Sequence, residues 1–345
     1  MMKELKSLNL IELEQFVTDN GFPKFRAKQI FEWINKGVRR FEDMSNLPKN
    51  LIAFLNENAL LSLVDVEQKY VSSIDGTVKY LFALHDGNFI ESVVMKYHHG
   101  YTICISSQVG CRMGCSFCQS TKSGKIRDLS AGEILDQIIF ASYDLGIKIH
   151  NIVMMGIGEP LDNFDNVIKF LQLVNASEGL NIGYRHISLS TCGVVPGIYK
   201  LAQLDIPITL SISLHAPFDD MRTEMMPVNK KYNIAQLMKA CLDYQKVTGR
   251  RISYEYTLVK GVNDSKKCAQ KLSQLLKGKL CHVNLIPVNK IESGEYDPTE
   301  KQDIYMFQKV LTDNGVNATV RRTLGTDISA SCGQLRSKRM KGVML

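Results

Sequence analysis

The sequence predicts an α/β protein: a full or partial (β/α)6 barrel joined to a small N-terminal helical domain through a short β meander. Three observations predict it. Beyond Gly100, strand-like apolar runs alternate with amphipathic helical stretches, which is the pattern of a parallel sheet with crossover helices. Before about Leu63 the apolar residues recur at helical spacing instead. Between Tyr70 and Lys96 the runs are short and β-rich, and Asp-Gly pairs break them.

Residues 1–66 are expected to form the helical unit. Leu10, Leu13 and Val17, then Ile30 and Ile34, then Leu51 and Leu55 past Pro48, mark its apolar faces. Its Lys24, Arg26, Lys28, Lys36, Arg39 and Arg40 crowd around Trp33 and Phe41, an arrangement suited either to RNA contact or to a solvated face. Residues 67–100 are expected to form a three-stranded meander, with turns at Asp75-Gly76 and Asp86-Gly87. Residues 101–325 make the barrel, with strand runs YTICISS, NIVMMG, RHISLST, ITLSISLH, SYEYTLV and HVNLIPV. The first crossover helix opens on Ser130 three residues before Glu133, a capping box, and continues through Ile134, Ile138, Ile139 and Ala141. Reactive groups in such barrels gather where strands end, and the ends here read GIGEP, STCG, SLHA and PVNK. A final strand, NATVRR, leads into residues 326–345, which carry the basic tail RSKRMK.

With 345 residues, 45% hydrophobic and 22% charged, the chain is neither a small stapled scaffold nor disordered nor fibrous. No apolar stretch approaches the roughly 18 residues that span a bilayer, and the start MMKELKSLNLIELEQF builds no signal-peptide core, so a cytoplasmic protein with no membrane partner is expected. The net charge of +7, from 42 Lys and Arg against 35 Asp and Glu, favours nucleic acid or another polyanion. Nine cysteines, an odd number in a long chain expected in a reducing compartment, point to metal ligation and thiol chemistry before disulfide staples.

Cys111, Cys115 and Cys118 stand in a Cys-x3-Cys-x2-Cys pattern within a Gly-containing loop after the first barrel strand. A loop lets thiolates at uneven spacing turn toward one centre, and soft thiolates select zinc or iron-sulfur over hard cations. A structural zinc site needs four ligands, and no nearby His or Cys offers an obvious fourth. Three thiolates on a four-iron cluster leave one iron open, which is a catalytic feature. With Phe117 before the last cysteine, the pattern resembles the radical S-adenosylmethionine (SAM) superfamily. That resemblance implies a radical SAM barrel whose [4Fe-4S] cluster binds SAM through the open iron and cleaves it to a 5'-deoxyadenosyl radical.

The segments VMMGIGEPLDN, SISLHAP, HVNLIPVN and DISASCGQL narrow the resemblance to the RlmN and Cfr group of rRNA adenine methyltransferases. The adenine carbon that this group methylates is too poor a nucleophile for direct transfer from SAM. The resemblance therefore implies two SAM per turnover: one methylates a cysteine matching Cys332, and the radical from the other activates that methyl group for addition to adenine. A second cysteine, matching Cys104, would release methylated RNA and leave a Cys104–Cys332 disulfide. Glu91 matches the group's base for removing the adenine hydrogen. The implied SAM contacts are Gly158, Glu159, Ser190, Ser213, Leu214, His215 and Asn289, all near strand ends, where glycine allows close approach and Glu, Ser and Asn supply acceptors.

Plain alternatives stand beside these roles. Cys104 and Cys332 could be small buried hydrophobes, as are Cys192, Cys241, Cys268 and Cys281 on this reading. Glu91 could be the polar member of an alternating strand, and His215 a structural hydrogen-bonding residue. Ile157 and Ser331 depart from the group's frequent Met and Ala without removing a reactive group. GEPLD resembles the RlmN branch more than the Cfr branch, which implies adenine carbon 2 over carbon 8. The expected function is methylation of 23S rRNA and of certain tRNAs at the adenosine after the anticodon, by a monomer fed electrons by a donor such as flavodoxin. The other readings are a radical-generating activase and a non-catalytic zinc RNA-binding module.

Overall fold

The computed structural model describes residues 2–289, 296–331 and 333–335. A short strand β1 (Lys3–Glu4) precedes three helices, α1 (Leu10–Asp19), α2 (Phe25–Asn35) and α3 (Lys49–Asn58), and pairs in parallel with β2 (Ala59–Leu60). Asn9 and Glu12 close a reciprocal capping box at the start of α1. Leu13, Val17, Ala27, Ile30, Leu51 and Leu55 are fully buried, each larger aliphatic side chain contributing about 1.5–3 kcal/mol.

The meander follows as β3 (Val64–Val71), β4 (Val78–Leu84) and β5 (Phe89–Tyr97). It is no separate layer. Its strands run antiparallel into β6 (Gly100–Cys104), the first barrel strand, so meander and barrel share one ten-stranded sheet. A two-stranded hairpin, β7 (Gln108–Gly110) with β8 (Lys125–Asp128), brackets the cysteine loop. Beyond it come α4 (Ala131–Leu145), β9 (Ile149–Met154), α5 (Phe164–Asn175), β10 (Ile187–Thr191), α6 (Val195–Ala202), β11 (Thr209–Ser213), α7 (Asp219–Met225), α8 (Ile234–Thr248), β12 (Ile252–Leu258), α9 (Lys266–Leu276), β13 (Cys281–Pro287), α10 (Lys301–Asp313) and β14 (Ala318–Val320).

The sheet order is β14-β13-β12-β11-β10-β9-β6-β5-β4-β3, parallel from β6 to β14. All six strand runs expected for the barrel, and the final one, are strands. Because β14 and β3 are the two ends of this order, the barrel is partial.

The helical unit is fastened to the barrel through α4. Asp136 is buried there, paired with the buried Lys6, and it accepts from the Leu63 and Val64 amides at 2.7 and 3.1 Å. A buried carboxylate is tolerated because a cation and two amides surround it. One hydrophobic cluster runs from Leu13 through Ile138 to Phe307, so the N-terminal helices share the barrel's core. Among the described residues no helix is long and apolar enough to cross a membrane.

Candidate active site at the C-terminal rim of the barrel

The cysteine loop hangs between β7 and β8, and two backbone features shape it. Gly110 has a φ of +73°, and a Cβ there would stand 1.9 Å from the Gly124 carbonyl, so only glycine fits immediately before Cys111. The Cys111 amide donates to that same carbonyl at 2.9 Å, and the Cys118 amide to the Cys115 carbonyl at 3.1 Å. All three cysteines line one cavity of about 930 Å³ at the C-terminal ends of the parallel strands. Burial pushes the Cys111 thiol up to about 12 and the Cys115 thiol well above its ordinary value, with neighbouring thiols adding to both. Such thiols ionise readily only against positive metal, and three soft donors with Met113 and Phe117 beside them suit an iron-sulfur cluster. Among the described residues no three His, Cys, Asp or Glu side chains form the shell of a single metal ion.

The strand ends supply the opposite wall. Past β9, Gly156 lies so close to β6 that a Cβ would stand 2.5 Å from the Ile105 carbonyl. Gly158, at φ +112°, faces Gln108 equally closely. Glu159 is buried, and its carboxylate accepts from the Leu161 amide at 3.0 Å and the Cys192 amide at 2.7 Å. It thereby ties the end of β9 to the end of β10, while burial pushes its pKa up. The Thr191 and Cys192 side chains bond the same carboxylate. Ser190 and Ser213 meet at 3.4 Å on adjacent strand ends.

His215 sits at φ +56°, buried, with its ring edge-on to Phe117 at 4.8 Å. Its Nδ1 accepts from the Thr257 amide at 2.9 Å, and burial, helped by Arg222, lowers its pKa to about 3. The ring is therefore neutral with its proton on Nε2, which makes it a donor. Gly158, Glu159, Ser190, Ser213, His215 and Asn289 all line the cavity with the cysteines. Leu214 does not: its side chain is in the core, and its amide donates to the Glu255 carbonyl at 3.1 Å.

Two functional-looking residues escaped the sequence reading. Arg222 is completely buried and donates to the carbonyls of Cys192 (2.7 Å), Leu214 (3.1 Å) and Ser213 (3.2 Å) and to Asn229 Oδ1 (2.9 Å), fastening two strand ends together. Glu255 lines the cavity from the middle of β12, where Oε1 accepts from Ser253 (3.1 Å) and Asn284 (3.0 Å). A lone charge inside the apolar run SYEYTLV was the available signal for it; Arg222 had none beyond its methionine neighbours.

A second cavity, of about 520 Å³, shares Met155, Ile286, Asn289 and Arg321 with the first. Cys104, Val93 and Met95 line it, closed over by Leu324, Ala330, Ser331 and Leu335 of the C-terminal segment. Glu91 is buried two positions before Val93 on β5, hence on the same face of the strand, and its Oε1 lies 3.5 Å from Lys79 Nζ. Cys332 lies outside the described residues, and with it the expected disulfide to Cys104. Its neighbours are placed: Ser331 in the second cavity, Gly333 in the first, the latter's carbonyl accepting from the Gln119 amide at 2.8 Å.

Comparison with known proteins gives a consistent result. Residues 105–269 match the model of the radical SAM superfamily, and residues 3–61 match that of the ribosomal RNA large subunit methyltransferase N-terminal domain. The chain is 55% identical over 335 residues to a "Probable dual-specificity RNA methyltransferase RlmN" of Alkaliphilus metalliredigens, covering 97% of this chain and 95% of that one. It is 54% identical over 340 residues to a protein of the same name from Clostridium botulinum, covering 99% and 98%. The crystal structure of a radical SAM methyltransferase from Sphaerobacter thermophilus superposes with a TM-score of 0.94 at 42% identity, covering 97% of this chain and 99% of that one.

Proposed function

The chain belongs to the RlmN family of radical SAM RNA methyltransferases, and from that premise we propose that it methylates carbon 2 of one adenosine in 23S rRNA and of the adenosine 3' to the anticodon in some tRNAs. It is a SAM-dependent enzyme of a family that carries a [4Fe-4S] cluster. Cys111, Cys115 and Cys118 would hold the cluster, and Gly158, Glu159, Ser190, Ser213, His215 and Asn289 would surround SAM. When bound, cluster and SAM supply the methyl group and the radical that activates it.

The remaining work belongs to Cys332, Glu91 and Cys104, the last of which lines the second cavity. Cys332 carries the one-carbon unit and links it to adenine as a thioether, the adduct giving up its unpaired electron to a one-electron acceptor. Glu91 takes the proton from carbon 2. The Cys104 thiolate then attacks the Cys332 sulfur, the carbon leaves with the bonding pair and gains a proton, and the disulfide formed is reduced by thiol–disulfide exchange with a dithiol reductant before the next turnover. A flavodoxin-like electron donor, a monomeric state and a cytoplasmic setting complete the proposal.

The observation that supports this reading best is the shared wall of Met155, Ile286, Asn289 and Arg321, which sets Cys104 and the segment around position 332 next to the three-cysteine cavity. A plain radical-generating activase needs no such second thiol chamber. The test is a pair of variants on the anaerobically prepared holoenzyme. Cys104→Ala should accumulate a covalent protein–RNA adduct, and Cys332→Ala should form neither adduct nor 2-methyladenosine. Product from the Cys332 variant, or 8-methyladenosine from the wild type, would overturn the proposal.

A further inference from the structure

The segment that carries position 332 is sewn down at both ends. On the meander side, Asp327 accepts from the Ser72 hydroxyl (2.7 Å) and the Ser73 amide (2.9 Å), and Asp75 accepts from the Gly325 amide at 2.9 Å. On the cysteine-loop side, the Gly333 carbonyl accepts from the Gln119 amide at 2.8 Å and the Leu335 carbonyl from the Ser120 hydroxyl at 2.8 Å. Between these anchors lies a buried lysine. Lys79, on β4, donates to the Ser329 carbonyl at 3.2 Å, stands 3.5 Å from the Glu91 carboxylate, and has the Tyr70 ring 5.1 Å from its Nζ.

We propose that Lys79 is a positioning residue for RNA methylation: its ammonium joins the Glu91 carboxylate to the strap that carries Cys332, so that base and one-carbon carrier are held in one register. The inference rests on the reading of Glu91 as the base.

The chemistry asks for such a link. The proton on adenine carbon 2 and the thioether to Cys332 are on the same base, so Glu91 must be placed relative to Cys332, not merely near it. A lysine held from below by an aromatic face and from the sides by a carboxylate and a carbonyl has little freedom. Ser329 is held in the left-handed region, at φ +50°, which turns its carbonyl within reach of that ammonium. Removing the charge would leave the cluster and SAM cavity as they are, since Lys79 lines neither cavity.

The experiment uses the anaerobic full-length holoenzyme, SAM and an RNA fragment containing the target adenosine. Two readings are taken from each sample: methylation of Cys332 by peptide mass, and the decay of the protein–RNA adduct on a denaturing gel in a single turnover. Lys79→Met should methylate Cys332 within about 3-fold of wild type yet resolve the adduct at least about 10-fold more slowly. Lys79→Arg should recover most of that rate. Glu91→Gln should stall at the same stage, and the double variant should be no slower than Glu91→Gln alone, as expected of residues acting through one another. Cys332 methylation reports that each variant is folded, and Lys79→Gln replaces Lys79→Met if that reading fails. Wild-type resolution by both neutral variants while Glu91→Gln stalls would overturn the role of Lys79 alone, as would multiplicative losses in the double variant. Normal resolution by Glu91→Gln would overturn the base assignment and this inference with it.

Discussion

The two cavities share a wall but are built by opposite routes. The first is assembled from strand ends: Glu159, Ser190, Ser213, His215 and Asn289 each lie at or a few positions past the end of a parallel strand. The second joins Cys104 on β6 and Val93 on β5 to Leu324, Ala330, Ser331 and Leu335, more than 200 positions later in the chain. In the first, each β/α unit delivers its own side chain to the rim, while Arg222, and Glu159 in addition to lining the cavity, fasten neighbouring units. In the second, placement depends on a few clamps between distant segments, so single substitutions should release it while the barrel stands.

The largest expected effect falls on the first cavity. Cys118→Ala removes one of three anchors, so anaerobically purified protein should lose most of its iron and sulfide, and RNA methylation should fall by about 10³-fold or more. The strap should remain as resistant to limited proteolysis as in the wild type. Cleavage around residue 330 in this variant would mean that the two cavities stand or fall together, and the contrast between them would be gone. A smaller effect is expected from Asp327→Ala, which deletes the hydrogen bonds to Ser72 and Ser73. Iron content and SAM binding should match the wild type, while methylation of Cys332 should slow by about 10-fold or more through misplacement of the strap. Unchanged methylation would show that the cysteine-loop anchors suffice alone.

The same contrast explains what could be read in the sequence. The barrel was legible because its apolar runs repeat with one period, and the three cysteines because their spacing is local. The meander's turns at Asp75-Gly76 and Asp86-Gly87 were legible too, but not that its strands extend the barrel sheet, since pairing of β5 with β6 is a matter of register and carries no local signature. Lys79 was invisible for a related reason. In VKYLFAL it reads as the polar member of an alternating strand, and only the arrival of Ser329 from 250 residues away makes it buried and bridging. Leu214 shows a different limit. The sequence marks it as a strand-end position, but not that the turn at His215 sends its side chain into the core, leaving only its backbone to face the rim.

The smallest expected effect sharpens the electrostatic side of the comparison. Beside the second cavity Lys79 and Glu91 stand 3.5 Å apart as a pair, whereas the first holds His215 neutral at a pKa of about 3 against 6.5 for the free side chain. Below about pH 6.5 the unfolded chain binds a proton that the folded protein refuses, so folding stability contributed by this site is present at neutral pH and is lost as pH falls toward 3. His215→Asn keeps an acceptor for the Thr257 amide but has no proton to bind. In urea denaturation of the cluster-free protein, the wild type should lose about 1 kcal/mol more than His215→Asn between pH 7 and about 5.5. Parallel losses in the two proteins would mean that His215 takes its proton in the folded state, and that the ring is not held as a neutral donor.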